Sequence, residues 1–266
     1  MPPVRLVAVD MDGTLLDSKG RLPADLFRII RELTDRGIRF VIASGRQYYN
    51  LEAQFHEIAD RLTFVGENGA AVFEKGDLLF FDDMRSEDVE ALIGQGAALP
   101  GAVPGLCGAG AAYIDRADPA PEKNIRKYYD RLERVENFVD VLEKDRICKV
   151  TFCVAGSAEE TVYPVLSAQN PHLKVALSGE HWVDVTNPSA HKGNALTFLQ
   201  QRDGLSPDEC MAFGDYLNDC EMMQACGQSY GMKNGHPALL ALCRHITDKT
   251  NDEDGVCDTL RHVFSL

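Results

Sequence analysis

The chain has 266 residues, of which 45% are hydrophobic, and its formal net charge is −14 at pH 7. That length fits one large domain with a smaller one. An acidic chain lacks the basic face that nucleic acids require, and no apolar run nears the roughly 20 residues of a membrane span, so we expect neither partner. An anionic ligand would be attracted locally, by a metal ion, a lysine or backbone N–H groups. The first predicted strand begins by Val4, which leaves no room for a signal peptide and favours a cytoplasmic protein.

Two aspartates follow the first predicted strand. The apolar run Val4 to Val9 predicts a strand buried on both faces, and it leads directly into Asp10 and Asp12. Ligands of parallel α/β sheets bind at this edge, and two neighbouring carboxylates there suit Mg²⁺ and substrate phosphate. One carboxylate could attack phosphorus while the other transfers a proton. The alternative is that Asp12 and Gly13 only form a tight turn.

A second predicted strand ends at the same edge of the sheet. Helical spacing of apolar residues over 23–36, followed by the strand Ile38 to Ala43, predicts a βαβ unit. Ser44-Gly45-Arg46 comes next, and a hydroxyl with a glycine N–H before a helix from Gln47 onward can hold an anion. The alternative is that Ser44 is an ordinary N-cap.

A predicted hairpin comes next, and the pattern of predicted elements changes after it. The strand Leu62 to Val65 precedes Glu67-Asn68-Gly69-Ala70, which is a strong hairpin signal, and a ligand-facing Asn68 is the less favoured interpretation. From residue 84, short strands and helices alternate, which predicts a separate α+β module inserted over 84–186. One of its helices is predicted from an apolar stripe at Ile125, Tyr128, Tyr129 and Leu132.

A lysine opens the first helix after the predicted insert. Lys192 lies in the first turn, where its charge opposes the helix dipole, and a functional lysine would produce this conflict. A solvated lysine is the alternative. His191 beside it is interpreted as a helix-start residue.

More acidic residues follow a later strand, Cys210 to Phe213. The strand ends in Gly214-Asp215-Tyr216-Leu217-Asn218-Asp219, and its direction would carry Asp215 toward Asp10. Asp219 could instead be an N-cap.

These four groups in this order resemble the motifs of one family. Asp10-x-Asp12-x-Thr14, Ser44-Gly45-Arg46, Lys192 and Gly214-Asp215-x-x-Asn218-Asp219 are similar to those of the haloacid dehalogenase (HAD) superfamily of phosphatases, and more narrowly of its Cof-type branch, class IIB. The resemblance covers nearly the whole chain. It implies an α/β fold: a Rossmann-like, doubly wound parallel-sheet core over 1–83 and 187–266, with an inserted α+β cap domain of the C2 type over 84–186.

The resemblance also implies a role for each matching residue. Asp10 would be the nucleophile that becomes a phosphoaspartate, and Asp12 would be the general acid/base. Mg²⁺ would be held by the Asp10 and Asp215 carboxylates and the Asp12 backbone carbonyl, with Asp219 ligating or orienting a metal-bound water. The transferring phosphoryl group would be held by Ser44, Gly45, Lys192 and Asn218. Arg46 and Asn68 would lie near the mouth of the substrate site.

The predicted function is therefore a Mg²⁺-dependent phosphatase of small phosphorylated metabolites, with sugar phosphates as the favoured substrates and the cap closing over the site. One alternative is a phosphosugar mutase, which returns the phosphoryl group to its substrate. The other is a non-catalytic phospho-metabolite binding or regulatory protein. Loss of Asp10, Asp12, Lys192 or Asp215 would have favoured that second alternative, and all four are present.

Overall fold

The protein forms two compact units in a computed structural model that describes residues 3–116 and 128–266. Unit 1 comprises residues up to Phe80 together with His191–Leu266, and unit 2 comprises Phe81–Ala190. Among the described helices, none combines the length and the apolar character needed to cross a bilayer. All eight cysteines are free thiols.

The strands and helices of the described residues are short. In chain order the strands are β1 (Leu6–Asp10), β2 (Arg39–Ala43), β3 (Leu62–Gly66), β4 (Ala71–Glu74), β5 (Asp77–Phe81), β6 (Val103–Gly108), β7 (Ala112–Asp115), β8 (Leu132–Val135), β9 (Ile147–Cys153), β10 (Lys174–Gly179), β11 (Trp182–Thr186), β12 (Cys210–Gly214), β13 (Gln228–Gly231) and β14 (His245–Ile246). The α-helices are α1 (Leu26–Asp35), α2 (Tyr48–Gln54), α3 (Ser86–Ala98), α4 (Val139–Leu142), α5 (Ala158–Thr161), α6 (Tyr163–Gln169), α7 (Lys192–Asp203), α8 (Cys220–Ala225), α9 (Pro237–Leu240) and α10 (Gly255–Phe264).

Unit 1 is built on an eight-stranded sheet in the order β14-β13-β12-β1-β2-β3-β4-β5. The strands from β14 to β3 are parallel, and β4 returns antiparallel to β3. Every residue of β1 is buried, which explains its unbroken apolar sequence. Strand β2, the next along the chain, pairs with one edge of β1. Strand β12, which comes much later in the chain, pairs with the other edge. The carboxyl ends of β1 and β12 therefore meet at the switch point of the strand order, where such sheets bind ligands.

Amphipathic helices supply the rest of this core. Leu26, Ile29, Ile30 and Leu33 of α1 are buried at the predicted helical spacing. The helix ends before Gly37, whose φ of +79° is the left-handed conformation that glycine adopts without strain. The doubly wound parallel α/β sheet predicted from the sequence is confirmed.

Unit 2 contains a six-stranded sheet in the order β10-β11-β9-β6-β7-β8. Its strand pairs are antiparallel except for β7 and β8, which run parallel. Its buried core includes Leu92 of α3, Leu166 of α6, and Val150 and Phe152 of β9. An α+β module of this kind agrees with the prediction.

One sequence prediction within unit 2 was wrong in part. The apolar stripe that predicted a helix through Leu132 ends in a strand, because Leu132 begins β8 and pairs with Ala112. Ile125, which the same stripe includes, lies outside the described residues.

Candidate active site

A buried lysine connects two aspartates at the ends of β1 and β12. Lys192 Nζ lies 2.5 Å from Asp10 Oδ1 and 2.6 Å from Asp219 Oδ1. The side chains of Lys192 and Asp219 are 0% exposed, so the solvated-lysine interpretation was wrong. Burial alone would lower the pKa of the Lys192 amine, but the charges of Asp10 and Asp219 outweigh it and raise that pKa.

Close backbone contacts place Lys192 at this point. Gly69 has a φ of +104°, and a Cβ there would overlap the backbone carbonyl of His191, so the turn at Gly69 packs directly against the start of α7. A Cβ at Gly193 would overlap the backbone of Glu221 in α8. His191 Nδ1 accepts the N–H of Asn194 at 3.1 Å, which confirms its predicted helix-start position.

Asp215 completes a group of three carboxylates. Oxygens of Asp10, Asp215 and Asp219 all lie within 4.8 Å of one another. Thr14 Oγ1 donates a hydrogen bond to Asp215 Oδ1 at 3.0 Å. Burial, with the nearby charge of Asp219, raises the pKa of Asp10 to about 8 and that of Asp215 to about 6. When all three are ionised, the carboxylates carry more negative charge than Lys192 alone balances.

This donor set fits a hard divalent cation such as Mg²⁺, which prefers carboxylate oxygens and would offset the surplus charge. Asp10 and Asp215 are the better placed ligands. Both oxygens of Asp219 already have protein partners, because Oδ1 accepts from Lys192 while Oδ2 accepts the N–H groups of Asp215 at 3.1 Å and Tyr216 at 3.3 Å. Asp219 stands at the N-cap position of α8, but its side chain makes no capping bond to that helix.

Asp12 is not part of the clustered carboxylates. Its side chain is 63% exposed and forms a two-point ion pair with Arg46, whose Nε lies 3.0 Å from Oδ2 and whose second terminal nitrogen lies 2.6 Å from Oδ1. Arg46 also reaches Asn50 and Gln54 of α2. The structure therefore places the predicted proton-transfer residue at the exposed edge of the site.

The residues predicted to hold an anion lie beside this pair. Ser44 is buried, and its Oγ accepts the N–H of Arg46 at 3.2 Å. The following helix starts at Tyr48, one residue later than predicted, with Gln47 as its cap, so Ser44 is not the N-cap of α2. The neighbouring Gly45 lies so close to Asn68 that a Cβ would be 2.9 Å from Asn68 Nδ2.

Asn68 combines a turn position with a polar contact at this edge of the sheet. It lies in the turn Glu67–Gly69 that joins the antiparallel strands β3 and β4, which confirms the predicted hairpin, and its φ of 55° is left-handed. Its Oδ1 also accepts a hydrogen bond from Asn218 Nδ2 at 3.1 Å. The ends of β2, β3 and β12 are thereby linked.

The sequence model of the haloacid dehalogenase-like hydrolases matches residues 7–260. The chain belongs to this family. A relative in Escherichia coli strain K12, the 5-amino-6-(5-phospho-D-ribitylamino)uracil phosphatase YbjI, is 33% identical over 264 residues, which cover 98% of this chain and 96% of YbjI. That name supports the predicted enzyme class, a phosphoric monoester hydrolase.

Two solved structures share the fold. SMU.1108c from Streptococcus mutans UA159 has a TM-score of 0.84 and 32% sequence identity, and the match covers 99% of this chain and 100% of that one. The HAD subclass IIB sugar phosphatase BT4131 has a TM-score of 0.79 at 19% identity, and the match covers 99% of this chain and all of that one. The predicted HAD family is thus confirmed, and the chain shares its fold with a member of subclass IIB.

Proposed function

We propose that this HAD hydrolase is a Mg²⁺-dependent phosphatase of small phosphorylated metabolites that works through a phosphoaspartate on Asp10. The observation that carries the proposal is the buried chain Asp10–Lys192–Asp219 at the switch point of the sheet, with Asp215 beside it. All the residues proposed for the chemistry lie in unit 1. We propose a catalytic core over 1–83 and 187–266 and a cap over 84–186, within a few residues of the bounds of units 1 and 2.

In the first step, a carboxylate oxygen of Asp10 attacks phosphorus and the bond from phosphorus to the leaving alcohol breaks. Asp12, which enters this step protonated and released from its ion pair with Arg46, donates a proton to that leaving oxygen and becomes a carboxylate. Lys192, Ser44 and the Gly45 N–H hold the equatorial oxygens, where charge accumulates in the transition state. Mg²⁺, when bound by Asp10 and Asp215, would supply further neutralisation of that charge.

In the second step, Asp12 takes a proton from water, whose oxygen attacks phosphorus as the bond to Asp10 breaks. Inorganic phosphate leaves and both aspartates return to their starting forms. The ion pair with Arg46 holds the Asp12 carboxylate at the exposed edge of the site, where an alcohol can leave and water can enter.

Sugar phosphates remain our proposed substrates. The name of the E. coli relative adds a phosphorylated ribitylamino-uracil as a second candidate, because that molecule also carries its phosphate on a polyhydroxylated chain. Both belong in a substrate panel.

The test is phosphate release from such a panel, measured with Mg²⁺ and with chelator. We expect release with Mg²⁺ only, and the ranking of substrates would identify the preferred class. Phosphorus NMR of the products serves as the control for group transfer. An isomerised sugar phosphate without free phosphate would show that the enzyme is a mutase and not a hydrolase. Absence of any conversion would favour the alternative of a non-catalytic binding protein.

Gly13 and Gly20 offer a matched pair of substitutions in the loop after β1. Both have positive φ, +82° and +74°, but a Cβ at Gly13 would overlap Asp215 Oδ2, whereas nothing lies within 4 Å of a Cβ at Gly20. We expect each alanine variant to lose about 1–2 kcal/mol of stability from backbone strain. Only Gly13→Ala should also lose about 100-fold in kcat, because it displaces Asp215. Urea unfolding and phosphate release measure the two effects, and equal kcat values would contradict this placement of Asp215.

A further inference from the structure

Side chains from two distant loops hold the backbone that follows β1. Asn234 Nδ2 donates to the Gly13 carbonyl at 2.8 Å, and Asn251 Nδ2 donates to the Leu16 carbonyl at 2.9 Å. Asp252 Oδ1 accepts the N–H of Ser18 at 2.7 Å. We call residues 12–18 the Asp12 loop. Its shape is thus set by contacts with residues more than 200 positions away in the chain.

Asn234 uses both ends of its amide in this arrangement. While Nδ2 holds the Gly13 carbonyl, Oδ1 accepts the backbone N–H of Asn251 at 3.0 Å. A side chain bonded at both ends has little freedom to rotate, so it fixes the peptide group that directly follows Asp12 and Gly13. Its position in a loop gives no sequence signal of this role.

The segment that carries Asn234 also holds the backbone of Asp215. The His236 N–H donates to the Asp215 carbonyl at 2.7 Å, and the Met232 N–H donates to the Gly214 carbonyl at 2.9 Å. A single short segment therefore contacts both acidic motifs. Asn234 is its side-chain link to the Asp12 loop.

We propose that Asn234 is a positioning residue that sets the Asp12 loop against Asp215, so that Asp12 is aligned for proton transfer. The inference rests on the proposed phosphatase function and adds a residue to it. Asn234 acts through the Gly13 carbonyl, and no contact with substrate is required. Its loss should therefore lower kcat and leave KM nearly unchanged, because Ser44 and Lys192 keep their own contacts.

Asn251→Ala is the matched control. It removes an amide-to-carbonyl bond of almost the same length from the same loop, three residues beyond Gly13. Its backbone N–H can still donate to Asn234. Asn234→Asp is a second test, because aspartate keeps the acceptor for that N–H but cannot donate to the Gly13 carbonyl when ionised.

The experiment combines steady-state kinetics with hydrogen exchange of the peptide covering the Asp12 loop, in the full-length protein. We expect faster exchange in both alanine variants, and a roughly tenfold lower kcat in Asn234→Ala and Asn234→Asp. In Asn251→Ala, kcat should stay within about twofold of wild type. Unchanged exchange or kcat in Asn234→Ala, an equal loss in Asn251→Ala, or normal kcat in Asn234→Asp would each overturn the proposal. An inactive wild-type enzyme would instead refute the phosphatase function itself.

Discussion

Phosphate release is expected to fall by a factor of about 10⁴ or more when Asp10 is replaced by asparagine, because a neutral amide cannot form the phosphoaspartate. Asparagine keeps the shape of aspartate, and its Oδ1 can still accept the hydrogen bond from Lys192. The substitution also removes one of three carboxylates whose oxygens lie within 4.8 Å of one another. In chelator we therefore expect Asp10→Asn to be at least as stable as the wild type.

Thermal unfolding separates this chemical effect from damage to the fold. Mg²⁺ should raise the unfolding temperature of the wild type, because a ligand that binds only the folded state stabilises it, and should raise that of Asp10→Asn much less. Asp258→Asn is the control, since Asp258 lies on α10 of unit 1 and pairs there with Lys249, which precedes that helix. It should change neither turnover nor the response to Mg²⁺. Undiminished turnover in Asp10→Asn would exclude Asp10 as the nucleophile.

The sequence predicts the strand ends of unit 1 well because two constraints coincide there. Buried parallel strands need continuous apolar runs, and the chemistry needs carboxylates directly after them, so Asp10 and Asp215 stand out at the ends of β1 and β12. Lys192 gives a third signal, because its charge in the first turn of a helix opposes the helix dipole. The buried ion pair with Asp10 overrides that unfavourable position.

Contacts between distant segments account for what the sequence did not predict. Asp219 was open to interpretation as a cap, because nothing in its neighbourhood in the sequence indicates that Lys192 lies against it. Asn234 gave no signal at all, because its partners Gly13 and Asn251 are close only in the fold. The close approach of Gly69 to the backbone of His191 is likewise not indicated by the sequence, because a hairpin turn alone accounts for Asn68-Gly69.

The predicted helix through Leu132 shows a different kind of error. Apolar spacing alone fits a helix or a strand over a few residues, and pairing with β7 decides for a strand. Such pairing is a tertiary effect, so local periodicity could not settle it.

Replacement of Lys192 by methionine is expected to reduce both stability and activity. The lysine is 0% exposed and pairs with two buried carboxylates, Asp10 and Asp219, so its removal leaves their charges without a counter-ion. Breaking a buried ion pair in this way costs about 3–5 kcal/mol of unfolding free energy. Turnover should fall by a further factor of about 10²–10³, because the lysine would also stabilise charge on the phosphoryl group.

Lys249→Met provides the comparison for stability, and a second substitution tests the cause. Lys249 lies 2.6 Å from Asp258, as close as Lys192 is to Asp219, but it is 46% exposed, so its loss should cost below about 1 kcal/mol.

Adding Asp219→Asn to Lys192→Met should recover part of the lost stability, because it removes one uncompensated buried charge, but should not recover turnover. Urea unfolding in chelator measures both effects. If Lys192→Met cost no more than Lys249→Met, the buried chain Asp10–Lys192–Asp219 would not be the electrostatic centre of the site. Recovered stability without recovered turnover would show that Lys192 serves the fold through its ion pairs and the reaction through its charge.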